Sequence, residues 1–191
     1  MPRVIYFVSK IVWRLRTDYG GGFPDSPFVI AANHMSFLDP PIVGGVFRRR
    51  IRFLTLGELF GNYRLLDLAL KTFEVIEVRR GVIPLGPLRQ ALYHLGEGGV
   101  VAVFPEGTRV DRFGDKPIAL GAAWLAVRAR VPLVPIAIAG TGEVLGIDNK
   151  LHRGQIRVSV GPAMYPEGTR RKSVEELTQR WAAWMESQLR R

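Results

Sequence analysis

Residues 27–41 read Pro27-Phe28-Val29-Ile30-Ala31-Ala32-Asn33-His34-Met35-Ser36-Phe37-Leu38-Asp39-Pro40-Pro41. The unbroken apolar run Pro27–Ala32 has the pattern of a strand buried on both faces. The polar segment after it cannot continue that strand. Asp39-Pro40-Pro41 predicts a helix entrance, with aspartate as N-cap and proline at the first helical position. Strand, polar loop and helix then recur along the chain. Apolar runs at Ile51–Leu56, Glu74–Val78, Val100–Phe104, Leu133–Ala139 and Gln155–Val160 alternate with helical patterns over residues 41–50, 58–71, 86–97 and 118–130. Pro87 stands near the start of the third of these helices, and Gly96 to Gly99 near its end. The alternation predicts an α/β fold, a layered structure with a largely parallel or mixed central sheet flanked by helices.

A chain of 191 residues suits one domain, and no linker or low-complexity segment divides it. We expect a single domain over 1–191, with an amphipathic N-terminal helix over 1–16, a motif-bearing core over 27–162 and a C-terminal helix over 173–190. Hydrophobic residues at 47% and charged residues at 23% exclude a disordered chain. The absence of cysteine excludes disulfides, a thiol nucleophile and thiolate metal sites. His34, His94 and His152 are far apart, and no metal site is expected. Lysine and arginine (27) exceed aspartate and glutamate (17), giving +10. That excess calls for an anionic partner: nucleic acid, lipid headgroups, phosphorylated metabolites or an acidic carrier protein.

No stretch approaches the ~18 consecutive apolar residues of a spanning helix. The run Val4–Val8 is shorter than the ~7–15 residues of a secretory signal core. At helical periodicity Arg3, Lys10 and Arg14 fall on one side, and Val4, Ile5, Val8, Ile11, Val12 and Leu15 opposite, with Tyr6 and Trp13 at the border. Such a helix either lies in a membrane interface or docks its apolar face on the core. Near the other end, Ser173-x-x-Glu176 reads as a capping box. The stripe Val174, Leu177, Trp181, Trp184, Met185 and Leu189 that follows is expected to face the core rather than lipid. Arg48-Arg49-Arg50 with Arg52 suits equally a headgroup or CoA contact and a solvated helix end. His94, on a helix with Leu88, Leu92 and Leu95, reads as structural, and His152 has no evident partner.

His34 and Asp39 are five positions apart, a spacing that separates them by about 140° on a helix and puts them on opposite faces of a strand. They meet only if the chain turns between them, which the Asp39-Pro40-Pro41 helix entrance allows. An imidazole beside a carboxylate is held in one tautomer and strengthened as a base, able to take the proton of an attacking hydroxyl. Aspartate also has a structural use here as a cap. Placement strengthens the functional reading. Arg79-Arg80-Gly81 follows the strand Glu74–Val78, and Pro105-Glu106-Gly107-Thr108-Arg109 follows Val100–Phe104. If these strands run parallel, all three loops emerge at the carboxyl edge, where open α/β sheets bind ligands. Arg80 and Arg109 could grip a phosphate there, Glu106 could orient one of them, and a turn at Gly107 would let backbone N–H groups approach an anion. Pro-Glu-Gly-Thr-Arg occurs again at 166–170, where it reads as a turn at the entrance of the C-terminal helix.

These residues resemble the glycerolipid acyltransferase family, and within it the enzymes that acylate 1-acyl-sn-glycerol 3-phosphate in bacteria. Asn33, His34, Ser36 and Asp39 match its Asn-His-x-Ser-x-x-Asp motif, and Phe104–Arg109 its Phe-Pro-Glu-Gly-Thr-Arg motif. Val134-Pro135-Ile136-Ala137-Ile138 matches a proline-centred motif. Val75–Arg80 matches another in part, with Glu74 where glycine is usual. The resemblance covers residues 27–162. It implies His34 as general base with Asp39 as its partner, and Arg80, Glu106, Gly107, Thr108 and Arg109 as substrate-binding residues for the acceptor's phosphate. Pro135 would lie towards the acyl chain. The implied reaction is direct attack of a lysophosphatidate hydroxyl on an acyl thioester without a covalent enzyme intermediate. Acyl-CoA or acyl carrier protein would be co-substrate, with no cofactor, on an anionic membrane surface at the cytoplasmic face of the cell membrane. Two departures concern the acceptor: Leu56-Gly57 precede Glu58-Leu59, and Ala119-Leu120 precede Gly121, where family members often carry lysine. The competing readings are acylation of another hydroxylated or lyso-lipid, a thioesterase in which the dyad activates water, and a basic lipid- or nucleic-acid-binding domain. The last has no aromatic stacking platform or recognition motif in its favour.

Overall fold

Strands rich in Val, Ile and Ala pair side by side because both of their faces are apolar and both must be covered. The computed structural model describes residues 2–25, 27–47, 51–56, 74–78 and 85–190. Its strands are β1 (Arg16–Tyr19), β2 (Phe28–Ala32), β3 (Ile51–Leu56), β4 (Glu74–Val78), β5 (Val100–Val103), β6 (Leu133–Ala139) and β7 (Arg157–Val160). They form a single mixed sheet in the order β1-β7-β6-β2-β5-β3-β4. From β6 to β4 every pairing is parallel, while β7 runs antiparallel to β6 and parallel to β1. The expected α/β architecture is therefore present, with the mixed rather than the purely parallel sheet. The carboxyl ends of β2, β4 and β5 share one edge, as the placement of the polar loops requires.

The described helices are α1 (Pro2–Val12), α2 (Asp39–Val46), α3 (Leu85–Gly96), α4 (Gly121–Ala129), the single turn α5 (Thr141–Val144) and α6 (Arg171–Leu189). Along β2 the side chains alternate between two cores. Phe28, Ile30 and Ala32 join Ile42, Val43 and Val46 of α2 on one face of the sheet. Val29 and Ala31 join Leu95 of α3, Leu125 of α4 and Trp181 of α6 on the other. The stripe on α6 faces the core as expected: Val174, Leu177, Trp181 and Met185 are buried, and the Trp181 indole donates to the Ala31 carbonyl at 3.0 Å.

Three local readings are corrected. β1 was not expected, because Arg-Thr-Asp-Tyr carries no apolar run; it is an exposed edge strand whose register starts with the Arg16 N–H donating to the Ile156 carbonyl. Asp39 does not cap α2: the N-cap is Leu38, with no side-chain capping bond, and the Asp39 carboxylate turns backwards onto the preceding loop. Ser173 does not open a capping box either, because α6 begins at Arg171, and the Ser173 hydroxyl donates to the Glu167 carbonyl at 2.7 Å. The helix expected over 58–71 and the arginines at 48–50 lie outside the described residues.

The orientation of α1 bears on the two readings of its apolar face. The helix packs on α2 through Tyr6, whose ring occupies the space a Cβ at Gly45 would need, and through the buried Ser9. The Tyr6 hydroxyl and Thr17 Oγ1 share a hydrogen bond at 2.8 Å. Val4, Phe7 and Ile11 are left 63%, 62% and 67% exposed, with Val8 and Val12 beside them. The polar-bordered seam docks, and the apolar face points outward. Among the described residues no helix is long and apolar enough to cross a membrane.

Candidate active site

The site begins where β2 stops pairing. The Asn33 side-chain amide donates to the Ile138 carbonyl at 2.8 Å and accepts the Ile138 N–H at 2.7 Å, imitating one further ladder step between β2 and β6. Its own backbone is thereby released, and the chain leaves the sheet at His34. Ser36 fixes the next turn. Its hydroxyl donates to the Leu145 carbonyl at 2.6 Å and accepts the Leu38 N–H at 3.1 Å.

His34 and Asp39 meet as the spacing allowed. His34 Nδ1 lies 3.0 Å from Asp39 Oδ2, which also accepts the N–H groups of Met35 and Ser36 at 2.7 Å each. Three donors converge on one carboxylate oxygen, and an acceptor there requires the proton of the neutral imidazole on Nδ1. The opposite ring nitrogen, Nε2, then carries the lone pair. The imidazole is further fixed by Phe104, stacked on it with centroids 4.3 Å apart and planes 23° apart. Asp39 is fully buried and His34 is 8% exposed, so the imidazole is held in one tautomer and one orientation.

Glu106 approaches from the loop after β5, and its Oε2 accepts the His34 backbone N–H at 2.7 Å. Burial, partly offset by that hydrogen bond and reinforced by the nearby Asp39 charge, raises its pKa from 4.5 to about 8. Below that pH a proton resides on the carboxyl, so its buried second oxygen does not stand as an uncompensated anion. Gly107, with φ of +68°, supplies the left-handed turn that brings Glu106 back over the sheet edge.

A group whose pKa is higher folded than unfolded lowers stability as pH rises between the two values. We therefore expect Glu106→Gln, which retains an acceptor for the His34 N–H, to exceed the parent in unfolding temperature by roughly 5 °C at pH 9. The gap should close by about pH 5, where the ionisation difference vanishes. Thermal unfolding of both proteins across that range checks this.

Arg109 is brought to the same rim. Its guanidinium lies over the Phe37 ring, 3.6 Å from the centroid, and Nη1 donates to the Gly146 carbonyl at 3.2 Å and to Asn149 Oδ1 at 3.0 Å. The rim loop 146–149 thus orients the arginine against the loop that carries His34, and the Val110 N–H donates to the His34 carbonyl at 2.9 Å. Thr108, half-buried, lies between Gly107 and Arg109. Arg80 lies outside the described residues. Pro135 is not brought to the dyad: it sits within β6 opposite Ala31, on the face of the sheet covered by α6, against Gly161 and Trp184. His94 packs its ring against Gly99, and exposed His152 faces Asp148 at 3.4 Å, so neither joins the site.

Phe37, Phe104, Gly146 and Asn149 were not foreseen as site residues. Phe104 was visible as the last residue of an apolar run and Phe37 within the motif, but contacts of Arg109 with Phe37 and Asn149 join segments that no local pattern relates. Asn149, at φ +57°, occupies a backbone conformation that asparagine tolerates better than most side chains, which is the one signal it offers.

A histidine–carboxylate pair stands at the sheet edge with a buried glutamate and a held arginine beside it, an arrangement chemically able to take a proton from a hydroxyl. Residues 16–139 match the family model described as Acyltransferase, a span that contains all four of these groups, and the chain belongs to that family. It is 29% identical over 186 residues to the 1-acyl-sn-glycerol-3-phosphate acyltransferase of Pseudomonas aeruginosa, covering 96% of this chain and 72% of that one. The protein of the same name from Bacillus subtilis is 30% identical over 142 residues, covering 74% of this chain and 68% of that one. The crystal structure of the 1-acyl-sn-glycerophosphate acyltransferase PlsC from Thermotoga maritima superposes with a TM-score of 0.72 at 22% identity, over 97% of this chain and 78% of that one, and shows the same fold.

Proposed function

We propose that this protein transfers a fatty acyl group from acyl-CoA or acyl carrier protein to the free hydroxyl of lysophosphatidate, a step of phospholipid biosynthesis, with no further cofactor. The observation that carries the proposal is the His34–Asp39 pair, which leaves Nε2 as the proton acceptor on the rim where Arg109 is held. His34 Nε2 takes the proton of the acceptor hydroxyl as its oxygen attacks the thioester carbonyl. The C–S bond breaks, the proton passes from His34 to the departing sulfur, and ester and thiol leave. No acyl-enzyme forms. Asp39 stabilises the imidazolium that exists between the two transfers. Arg109, and Arg80 by the family resemblance, engage the phosphate of the acceptor.

The outward apolar face of α1 supports attachment to the cytoplasmic face of the cell membrane, with Val4, Phe7 and Ile11 entering the interface and the basic surface meeting anionic headgroups. Both donors are anionic as well.

Asn149 contributes to acceptor binding through Arg109. Asn149→Gly preserves the left-handed backbone while deleting the acceptor of one guanidinium hydrogen bond. It should raise KM for lysophosphatidate by about 3–10-fold and leave kcat and the KM for the thioester unchanged. An equal fall in kcat would instead assign Asn149 to the chemical step. The reaction itself is tested with a panel of hydroxylated acceptors and one acyl-CoA, products being identified by mass spectrometry. Phosphatidate is expected from lysophosphatidate. A panel in which a different acceptor alone is acylated would overturn the assignment of substrate.

A further inference from the structure

The second Pro-Glu-Gly-Thr-Arg, at 166–170, has no place in the site just described. Its last two residues line a groove of about 680 Å³ between α4 and the start of α6. Arg128 and Arg130 enter the groove from the end of α4, and Arg170 and Arg171 from the start of α6. Trp124, partly buried against the core, lines it together with Val127 and Val174. No carboxylate is among its described lining residues. We propose that this groove binds a soluble nucleotide, with the arginines on its phosphates and Trp124 against its base.

Stability of the helices does not account for this gathering of charge. Cations suit the end of α4, where the helix dipole is negative, but Arg170, Arg171 and Lys172 stand at the positive end of α6. That helix has no acidic residue in its first turn and no side-chain cap. Arg171 has Glu175 as a partner at 2.9 Å, whereas Arg128, Arg130 and Arg170 pair with no carboxylate among the described residues. Arg130 also adopts φ +56°, a left-handed position where glycine would be less strained. Bringing guanidinium groups together from two elements, three of them without a carboxylate partner among the described residues, has a use if an anion joins them.

Size and chemistry narrow the ligand. The groove volume falls within the range of about 300–1,000 Å³ typical of small-molecule sites. Guanidinium forks match phosphate oxygens bidentately, and an indole offers a face on which a base stacks. A lipid surface is disfavoured by position. The groove lies on the face of the sheet covered by α4 and α6, opposite the face that carries α1. It also opens at the far edge from His34, since Arg130 precedes the first residue of β6 while His34 follows the last residue of β2, and these strands are parallel. The nucleotide is either free or the head of CoA, which carries the same adenine and phosphates.

The test is calorimetric titration of the full-length protein with ADP, CoA and inorganic phosphate, repeated with Arg128→Ser/Arg170→Ser and with His34→Ala. Arg128 and Arg170 are exposed, so the double variant should retain the parent unfolding temperature. ADP and CoA are expected to bind saturably, about tenfold or more weakly in the double variant and unchanged in His34→Ala. Inhibition by ADP that is competitive with acyl-CoA would assign the groove to the donor's head, and binding without competition to a free nucleotide; either supports the site. The proposal is overturned if ADP does not bind, if the double variant binds as the parent does, if phosphate matches ADP, or if only an acidic carrier protein saturates the surface. Because binding is read without turnover, such a failure leaves the acyltransferase assignment standing, and loss of that assignment leaves the binding measurement meaningful.

Discussion

Replacing His34 by alanine is expected to slow acyl transfer by about 10²–10⁴-fold, the usual contribution of a positioned general base. The expectation follows from the division of labour on the ring. Nδ1 is committed to Asp39, and the face of the ring to Phe104, so Nε2 is the nitrogen left for chemistry. The loss should lie in kcat, because the phosphate contacts proposed for Arg109 do not involve the imidazole. Folding should survive. Asp39 keeps its two backbone donors in the variant, and Glu106 keeps the His34-position N–H, so the loop retains its anchors. A fall of no more than about 5 °C in unfolding temperature is expected from the lost stacking. Steady-state kinetics on the folded variant, with circular dichroism as control, separate the catalytic loss from a structural one.

The second large effect belongs to Asp39, and it combines both losses. Its Oδ2 accepts from Met35, Ser36 and His34, and the residue is fully buried. Asp39→Ala strands three donors away from water, and at about 1–3 kcal/mol for each unsatisfied buried group it should unfold the motif loop or the whole chain. Asp39→Asn is the more informative substitution. Its amide oxygen can retain backbone donors, but it replaces the carboxylate that holds the imidazole tautomer and stabilises the imidazolium. We expect activity to drop by up to about 10⁴-fold with a moderate fall in unfolding temperature. An Asp39→Asn protein as active as the parent would show that tautomer control is not what the aspartate supplies.

Much of the fold was legible because the decisive strands are buried on both sides. The run Phe28–Ala32 alternates between two cores, so every position is apolar and the strand announces itself. β1 gave no such signal: an exposed edge strand needs backbone partners, not apolar side chains, and its partner is set by the path of Ile156. Helix α1 shows a different limit. Periodicity separates its faces, but which face docks depends on Tyr6 finding the bare backbone of Gly45, a contact between helices that no local pattern contains. The dyad was legible because Asp39-Pro40-Pro41 marks a helix entrance at the end of the loop that carries His34, so the chain must turn between the two residues. Its misread element, Asp39 as a helix cap, is informative too, since the same carboxylate turned backwards is what holds His34. The arginine clamp was not legible, because residues 37, 109, 146 and 149 meet only through the sheet order β6-β2-β5.

The most direct measurement is thiol release from acyl-CoA by the purified protein, with and without lysophosphatidate, alongside quantification of the phosphatidate formed. Release that requires the acceptor and matches phosphatidate one for one is the predicted result. Equal release in acceptor-free buffer would contradict transfer to a lipid hydroxyl and identify water as the nucleophile that His34 serves.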